Sequence, residues 1–253
     1  MNDSTKQRWL VTGAASGIGA AVVRAVTESG GSVLALDVDD GAGEALAAET
    51  GATYRHCDVS SYADWEALAA ELQGSGAQVP SRIHLNAGVQ IAPPDAALSE
   101  FSFDAMTMDR YRRLMGVNVD GVVFGLHALM PILAPGTSIV VTASLAGITP
   151  YAIDPLYAMS KHAVVGLVRS LGPTLRKKGI GIHAICPGGI DTPLVPDAQR
   201  SADVPFMSPR HIADEVMHLM EKEETGKSWA KVSESKPIFV VRAPGDRGAA
   251  DGT

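Results

Sequence analysis

The 253-residue chain has only two cysteines, Cys57 and Cys186, far apart and outside any Cys-x-x-Cys pattern. Their scarcity excludes a disulfide scaffold and leaves two buried thiols in a reducing compartment as the expectation. Basic residues are also few, 21 Lys and Arg against 28 Asp and Glu, for a net charge of −7. A nucleic-acid-binding surface needs clustered cations. The one basic cluster, Arg176-Lys177-Lys178, reads as a helix C-terminus opposing its dipole. Seven histidines are scattered without a spacing such as His-Glu-x-x-His, so no catalytic metal is expected. No apolar run approaches the roughly 18 residues of a membrane span, and the polar start Asn2-Asp3-Ser4-Thr5-Lys6 lacks signal-peptide character. A cytoplasmic protein with no nucleic-acid or membrane partner is the expectation. Aromatics are sparse at 5%, while 46% hydrophobic residues and 26 glycines suit a compact, helix-rich α/β chain with many tight turns.

The length suits one domain over residues 1–253, with disordered tails at 1–6 and 244–253. Apolar runs of strand length alternate with helical stretches throughout. The first run, Arg8-Trp9-Leu10-Val11, breaks into Thr12-Gly13-Ala14-Ala15-Ser16-Gly17-Ile18-Gly19 and then an Ala/Val-rich helix to about residue 29. Strand, glycine turn and helix start together let a backbone approach a pyrophosphate and offer it unpaired N–H groups; alone, the turn equally fits a tight β–α connection. A second strand ends at Asp37, about 20 residues on, placed to accept hydrogen bonds from an adenosine ribose. Its charge would repel a 2′-phosphate, which favours NAD over NADP. The competing reading makes Asp37, Asp39 and Asp40 a solvated turn that caps the next helix.

Further helices are expected near 41–50, 62–73 and 209–224, and strands at 53–57, 82–85, 138–142, 181–185 and, last, 238–241. Asp58, at a strand end, is a candidate adenine contact or a helix cap. The stretch 89–107 has no clear period and is long for a β–α connection. Residues 108–133 read as one long helix, apolar over nearly its whole circumference, with Asn118 as its polar exception. A second widely apolar helix carries Tyr157-Ala158-Met159-Ser160-Lys161. Tyr157 and Lys161 share one helix face. A cation beside a phenol lowers its pKa and suits it to general acid–base work, although a lysine stem also packs past an aromatic ring for purely structural reasons.

Taken together, residues 12–19, Asp37, Asp58, Asn86-Ala87-Gly88, Asn118, Ser144, Tyr157, Lys161 and Pro187-Gly188 with Thr192 resemble the short-chain dehydrogenase/reductase family in order and spacing, over residues 6–243. The resemblance implies a Rossmann-type, doubly wound parallel sheet of seven strands in order 3-2-1-4-5-6-7, with helices on both faces. It implies a homodimer or homotetramer built on the two apolar helices. It also implies NAD held by Gly13, Ser16, Gly17, Ile18, Gly19, Asp37, Asp58, Val59, Asn86, Gly88, Tyr157, Lys161, Pro187, Ile190 and Thr192, the last two on the nicotinamide carboxamide. In the implied chemistry Ser144 holds the substrate oxygen and Tyr157 exchanges its proton. Lys161 depresses the tyrosine pKa, and Asn118 anchors a relay water. Leu85 departs from the pattern, standing where the family commonly has another Asn. The segment 194–208 is short for the family's substrate lid.

Leu145, Ile148, Tyr151, Ile153, Leu194 and Val195 surround the expected pocket and favour a hydrophobic alcohol or ketone, with Gln90 as a polar contact. The leading expectation is an NAD-dependent oxidoreductase interconverting a secondary alcohol and its ketone. The alternatives are an NADPH-dependent carbonyl reductase and a non-catalytic dinucleotide-sensing protein on the same fold.

Overall fold

In the computed structural model, which describes residues 7–74, 79–200 and 206–243, one eight-stranded sheet runs through the chain. The tails expected to be disordered lie outside the described residues. The strands are β1 (Arg8–Thr12), β2 (Ser32–Asp37), β3 (Thr53–His56), β4 (Arg82–Leu85), β5 (Ser138–Thr142), β6 (Gly181–Pro187), β7 (Lys227–Lys231) and β8 (Phe239–Val240). Their order is β3-β2-β1-β4-β5-β6-β7-β8, parallel except for β8. Parallel strands flanked by helices are buried on both faces and so read as continuous apolar runs, as β5 does with all five residues buried.

The seventh parallel strand is a correction to the sequence reading. The last strand was expected at 238–241, but that segment supplies β8, a two-residue antiparallel edge against Trp229 and Ala230. The seventh strand lies earlier, in Lys-Ser-Trp-Ala-Lys, where two lysines disguise it. Lys231 is only 3% exposed, and its ammonium is neutralised by Glu215 at 2.9 Å and accepted by the Lys236 carbonyl at 2.8 Å. A buried ammonium is tolerated only with such partners, and nothing local in the sequence announces them.

Among the described residues three helices cover each face. On one side α3 (Tyr62–Gly74), α5 (Gly121–Leu129) and α6 (Pro155–Arg176) bury Trp65, Leu68, Leu126, Val164 and Val168 against the sheet. On the other, α1 (Gly17–Glu28), α2 (Asp40–Thr50) and α8 (Pro209–Met220), which follows the single turn α7 (Asp197–Arg200), bury Val22, Val23, Leu46, Ile212 and Val216. A third cluster joins Ile91 and Phe101, from the stretch after β4, to Leu114, Leu156 and Tyr157. That aperiodic stretch, which holds two short 3-10 turns at Leu98–Phe101 and Phe103–Ala105, therefore walls the end of the sheet where Tyr157 lies.

The expected single helix at 108–133 is broken in register. It runs as α4 (Met108–Met115), a π-helical turn at Gly116–Asp120, α5, and a 3-10 turn at Met130–Ile132 around Pro131. The Gly121 N–H bonds to the Gly116 carbonyl, five residues back. Asn118 sits in this turn, and such single π turns often mark functional positions. Met108–Ile132 is 25 residues long and holds an 18-residue window with a mean hydropathy of 1.4, a stretch that passes for a membrane span by length and composition only. In this fold it packs against α3 and α6.

Two histidines lie wholly inside the core. Burial pushes His84 down to about 3 and His183 down to about 4, so both are neutral in the native state. An unfolded histidine titrates near 6.5. The native pKa is the lower one, so this stability is complete above pH 6.5 and is lost as pH falls from there towards 4 and 3. Lowering pH from 6.5 to 5 should cost about 2 kcal/mol per buried histidine. Urea midpoints at pH 7 and pH 5 check this, and equal midpoints would contradict it.

Candidate active site

The sheet reverses its winding between β1 and β4, and loops at such a point open a crevice beyond the strand ends. Thr12, the last residue of β1, accepts hydrogen bonds at Oγ1 from Asn86 N (2.8 Å) and Ala87 N (3.1 Å). Asn86 returns its Nδ2 to the carbonyls of Thr12 (3.1 Å) and Gly13 (3.3 Å). The crevice floor is thus stitched across the two strands. Gly17 has φ +52° and lies against Thr192, so a side chain there would be strained and crowded. A Cβ on Gly19 would lie 2.0 Å from the Gly13 carbonyl oxygen.

The crevice opens into a cavity of about 1080 Å³. The sequence-predicted site residues Gly13, Ser16, Gly17, Ile18, Asp37, Asp58, Val59, Asn86, Gly88, Ser144, Tyr157, Lys161, Pro187, Ile190 and Thr192 all line it. Gly19 and Asn118 do not. Gly19 is a packing glycine, letting α1 close on the turn before it. Asn118, fully buried, spends its amide on the main chain of Val89, accepting from N at 2.8 Å and donating to O at 2.9 Å, and on Ser160 Oγ at 3.0 Å.

The dinucleotide end of the cavity fits its expected ligand. Ser16 caps α1 without a side-chain bond and the first turn has no acidic residue, so the positive end of the helix stays available to a phosphate. The Asp37 carboxylate is held by Ala15 N at 2.8 Å and Val38 N at 2.7 Å. The two readings of the acidic run divide between its residues. Asp37 faces the cavity, whereas Asp39 caps α2 through Ala42 N (3.0 Å) and Asp40 binds Tyr54 (2.7 Å) and His56 (2.8 Å). Asp58 lines the cavity and holds its own turn through Ser60 N (2.9 Å) and Oγ (2.7 Å), while the start of α3 is capped by Ser61, whose Oγ accepts from Asp64 N at 3.3 Å.

At the other end, β5 delivers Ser144 and α6 delivers Tyr157 and Lys161. The Ser144 hydroxyl accepts from Ala146 N at 3.1 Å and is hydrogen bonded to the Tyr157 phenol. Lys161 donates to the Thr142 carbonyl at 2.9 Å, with its nitrogen 5.6 Å from the Tyr157 ring centre. The expected titration shift is corrected here. Burial drives the Tyr157 pKa well above its usual value, and the Ser144 hydrogen bond opposes this without reversing it. Burial also lowers Lys161 to about 8. Both groups lose their water, and the ammonium is aimed at a carbonyl rather than at the phenol oxygen, so desolvation outweighs the expected help from the cation.

Three positions that sequence reasoning missed hold this arrangement. Thr142 gives its hydroxyl to Asn86 Oδ1 (3.1 Å), pairs with His84 Nε2 (2.8 Å) and offers its carbonyl to Lys161. His84 thereby links β4 to β5 beside Leu85, which lies in the core at 3% exposure where an Asn was the family expectation. Asp154, also wholly buried, accepts from Tyr157 N at 2.8 Å and from Ile91 N at 3.0 Å. The signal for it was present: Asp followed by Pro is an N-cap and first-turn pair. Asp154→Ala should lower stability by about 1–2 kcal/mol and lower kcat as Tyr157 loses its anchor, with Asp154→Asn retaining part of both. Thermal unfolding and turnover of the two variants check this, and full activity in Asp154→Ala would contradict it.

Comparison with known proteins agrees with this geometry. Residues 7–203 match the family described as short chain dehydrogenase. Over 208 residues the chain is 34% identical to the 2,5-dichloro-2,5-cyclohexadiene-1,4-diol dehydrogenase of Sphingobium indicum, covering 80% of this chain and 79% of that one. Over 238 residues it is 34% identical to the cis-4-hydroxycyclohexanecarboxylate dehydrogenase of Sinomonas cyclohexanicum, covering 92% of each. Among solved structures, a 3-oxoacyl-[acyl-carrier protein] reductase from Brucella melitensis superposes with a TM-score of 0.77 at 28% identity, covering 90% of this chain and 91% of that one. The chain belongs to the short-chain dehydrogenase family.

Proposed function

We propose that this short-chain oxidoreductase is an NAD-dependent dehydrogenase that interconverts a hydrophobic secondary alcohol and its ketone. The observation that carries the reading is the meeting of Ser144, Tyr157 and Lys161 at one end of a cavity whose other end is marked by Asp37. NAD, when bound, accepts the hydride from the alcohol carbon. The chain's own residues do the rest. Ser144 holds the substrate oxygen, and Tyr157 takes the alcohol proton as the hydride leaves or returns it to the ketone oxygen. Lys161 binds the nicotinamide ribose and passes the proton on; the side-chain amide of Asn118 is committed to Val89 and Ser160, so the relay water expected there is not assigned to it.

The cofactor preference rests on charge. Asp37 repels a 2′-phosphate, and the cations lining the cavity among the described residues are Lys161 and Arg113, neither beside Asp37 in the β2 turn. The Brucella melitensis reductase was solved with bound NAD, which supports the same reading. The two Sphingobium and Sinomonas relatives are named for alcohols on six-membered rings, which supports a cyclic apolar substrate. A homodimer or homotetramer built on α5 and α6, whose outer faces leave Val123 and Met159 exposed, completes the proposal.

Titration with NADH and NADPH, followed by nicotinamide fluorescence, should show NADH bound tighter by roughly tenfold or more, and Asp37→Ala should narrow the gap. Preference for NADPH would redirect the assignment to carbonyl reduction. Tyr157→Phe should lower kcat by about 10²–10⁴-fold with NADH binding nearly intact. Turnover retained in that variant would sink the proton-transfer role.

A further inference from the structure

In the substrate half of the cavity Gln90 and Tyr151 share a wall; the lining also includes the apolar Leu145, Ile153 and Leu194 and the polar Arg113, Thr149 and Gln199. Gln90 is 7% exposed, and its Nε2 donates to the Leu194 carbonyl at 3.1 Å. Its Oε1 is buried with no hydrogen-bond partner. Tyr151 accepts at its hydroxyl from Gln199 Nε2 (2.8 Å) and lies within hydrogen-bonding reach of the Gln90 amide, and neither contact uses the phenol proton. Its ring stands edge-on to that of Tyr157, with 6.1 Å between centres.

This wall is fixed relative to the reacting group. Arg113 Nη2 holds the Gln90 carbonyl at 2.9 Å, and the Asp154 carboxylate holds the next amide, Ile91 N, at 3.0 Å. The other oxygen of Asp154 holds Tyr157 N at 2.8 Å. A single buried carboxylate therefore sets the spacing between the Gln90 amide and the helix start that carries the catalytic phenol, as a preorganised recognition group requires.

A hydrocarbon-bearing monoalcohol would leave the Gln90 acceptor without a donor, and a buried carbonyl oxygen lacking a donor is unfavourable. A hydroxyl supplies both needs of this wall, donating to Gln90 Oε1 and accepting from Tyr151. We propose that Gln90 and Tyr151 form a subsite for a second hydroxyl, so that the substrate is a neutral diol on an apolar ring, or the corresponding hydroxyketone in the reverse direction. The inference rests on the dehydrogenase reading above and narrows it. A carboxylate at the same place has no proton to give Oε1, so a hydroxy acid fits less well.

The test compares cyclohexanol with the cyclohexane-1,2-, 1,3- and 1,4-diols in two ways. One is kcat/KM for NAD reduction; the other is binding to the enzyme–NADH complex, read by nicotinamide fluorescence. At least one diol should exceed cyclohexanol by roughly tenfold or more in both, because a site built to bond a hydroxyl rejects the analogue lacking it. Gln90→Leu and Tyr151→Phe should each collapse that ratio towards one. No preferred diol, or a preference that survives Gln90→Leu or, if that variant does not fold, Tyr151→Phe, would overturn the subsite. Turnover without diol selectivity sinks the subsite alone, whereas diol-selective binding with no turnover of any alcohol sinks the dehydrogenase reading and leaves the subsite standing.

Discussion

The carbonyl of Thr142 accepts the Lys161 ammonium at 2.9 Å, and much of the site depends on that bond. Lys161 is 2% exposed, and an ammonium taken out of water needs a partner for its charge. Thr142 can serve because it is the last residue of β5, one residue past the end of its pairing with β4 although still in register with Ile185 of β6. Its side chain is fixed in turn by His84 and Asn86, which belong to β4 and its following turn. Asn86 reaches on to Thr12 and Gly13 at the end of β1. The ends of three neighbouring strands are thereby joined through short polar side chains, and the dinucleotide end and the proton-transfer end of the cavity share one scaffold.

Desolvation decides the resting chemistry of the site. In the unliganded protein Tyr157 is a phenol, since burial raises its pKa and the Ser144 hydrogen bond only partly offsets that. Lys161 moves the opposite way, to about 8, because burial penalises whichever form is charged. The two groups are therefore driven apart in proton affinity, the phenol upward and the ammonium downward, where a reading in which the lysine simply activates the tyrosine would lower the phenol. A positive nicotinamide brought beside the phenol would favour the phenolate by ordinary Coulomb attraction, so the unliganded state is poised as an acid and the oxidising complex as a base.

Much of the fold was legible because parallel strands buried on both faces read as apolar runs, and six of the seven parallel strands were placed, the largely exposed edge strand β3 by strand–helix alternation. The missing one, β7, was hidden because Lys231 is buried only by virtue of Glu215 on α8 and the carbonyl of Lys236, partners no local pattern can announce. The π turn at Gly116–Asp120 was equally invisible, since its sequence continues a helical apolar pattern without a break. Within the site, residue types at strand ends and helix starts located the cavity lining. What they could not give was the direction of the Tyr157 shift. That depends on burial supplied by Ile91 and Phe101, more than fifty residues upstream in a stretch with no period of its own. Gly19 was assigned to the cofactor by its place in the glycine run, yet only the distance to the Gly13 carbonyl distinguishes a packing glycine from a lining one.

Asp154 makes reactivity and specificity inseparable in this chain. Its two oxygens hold the amides of Tyr157 and Ile91, so the start of α6 and the stretch after β4 are tied to one carboxylate. The same stretch packs Ile91 against Leu156 and Tyr157, and Arg113 fixes the carbonyl of Gln90 from α4. A substitution in the residues after β4 therefore displaces the phenol as well as the wall that faces the substrate. Selectivity cannot be retuned there without a change in turnover, whereas the Gln199 side, which reaches Tyr151 only through one hydroxyl, is mechanically separate from the helix that carries the reacting group.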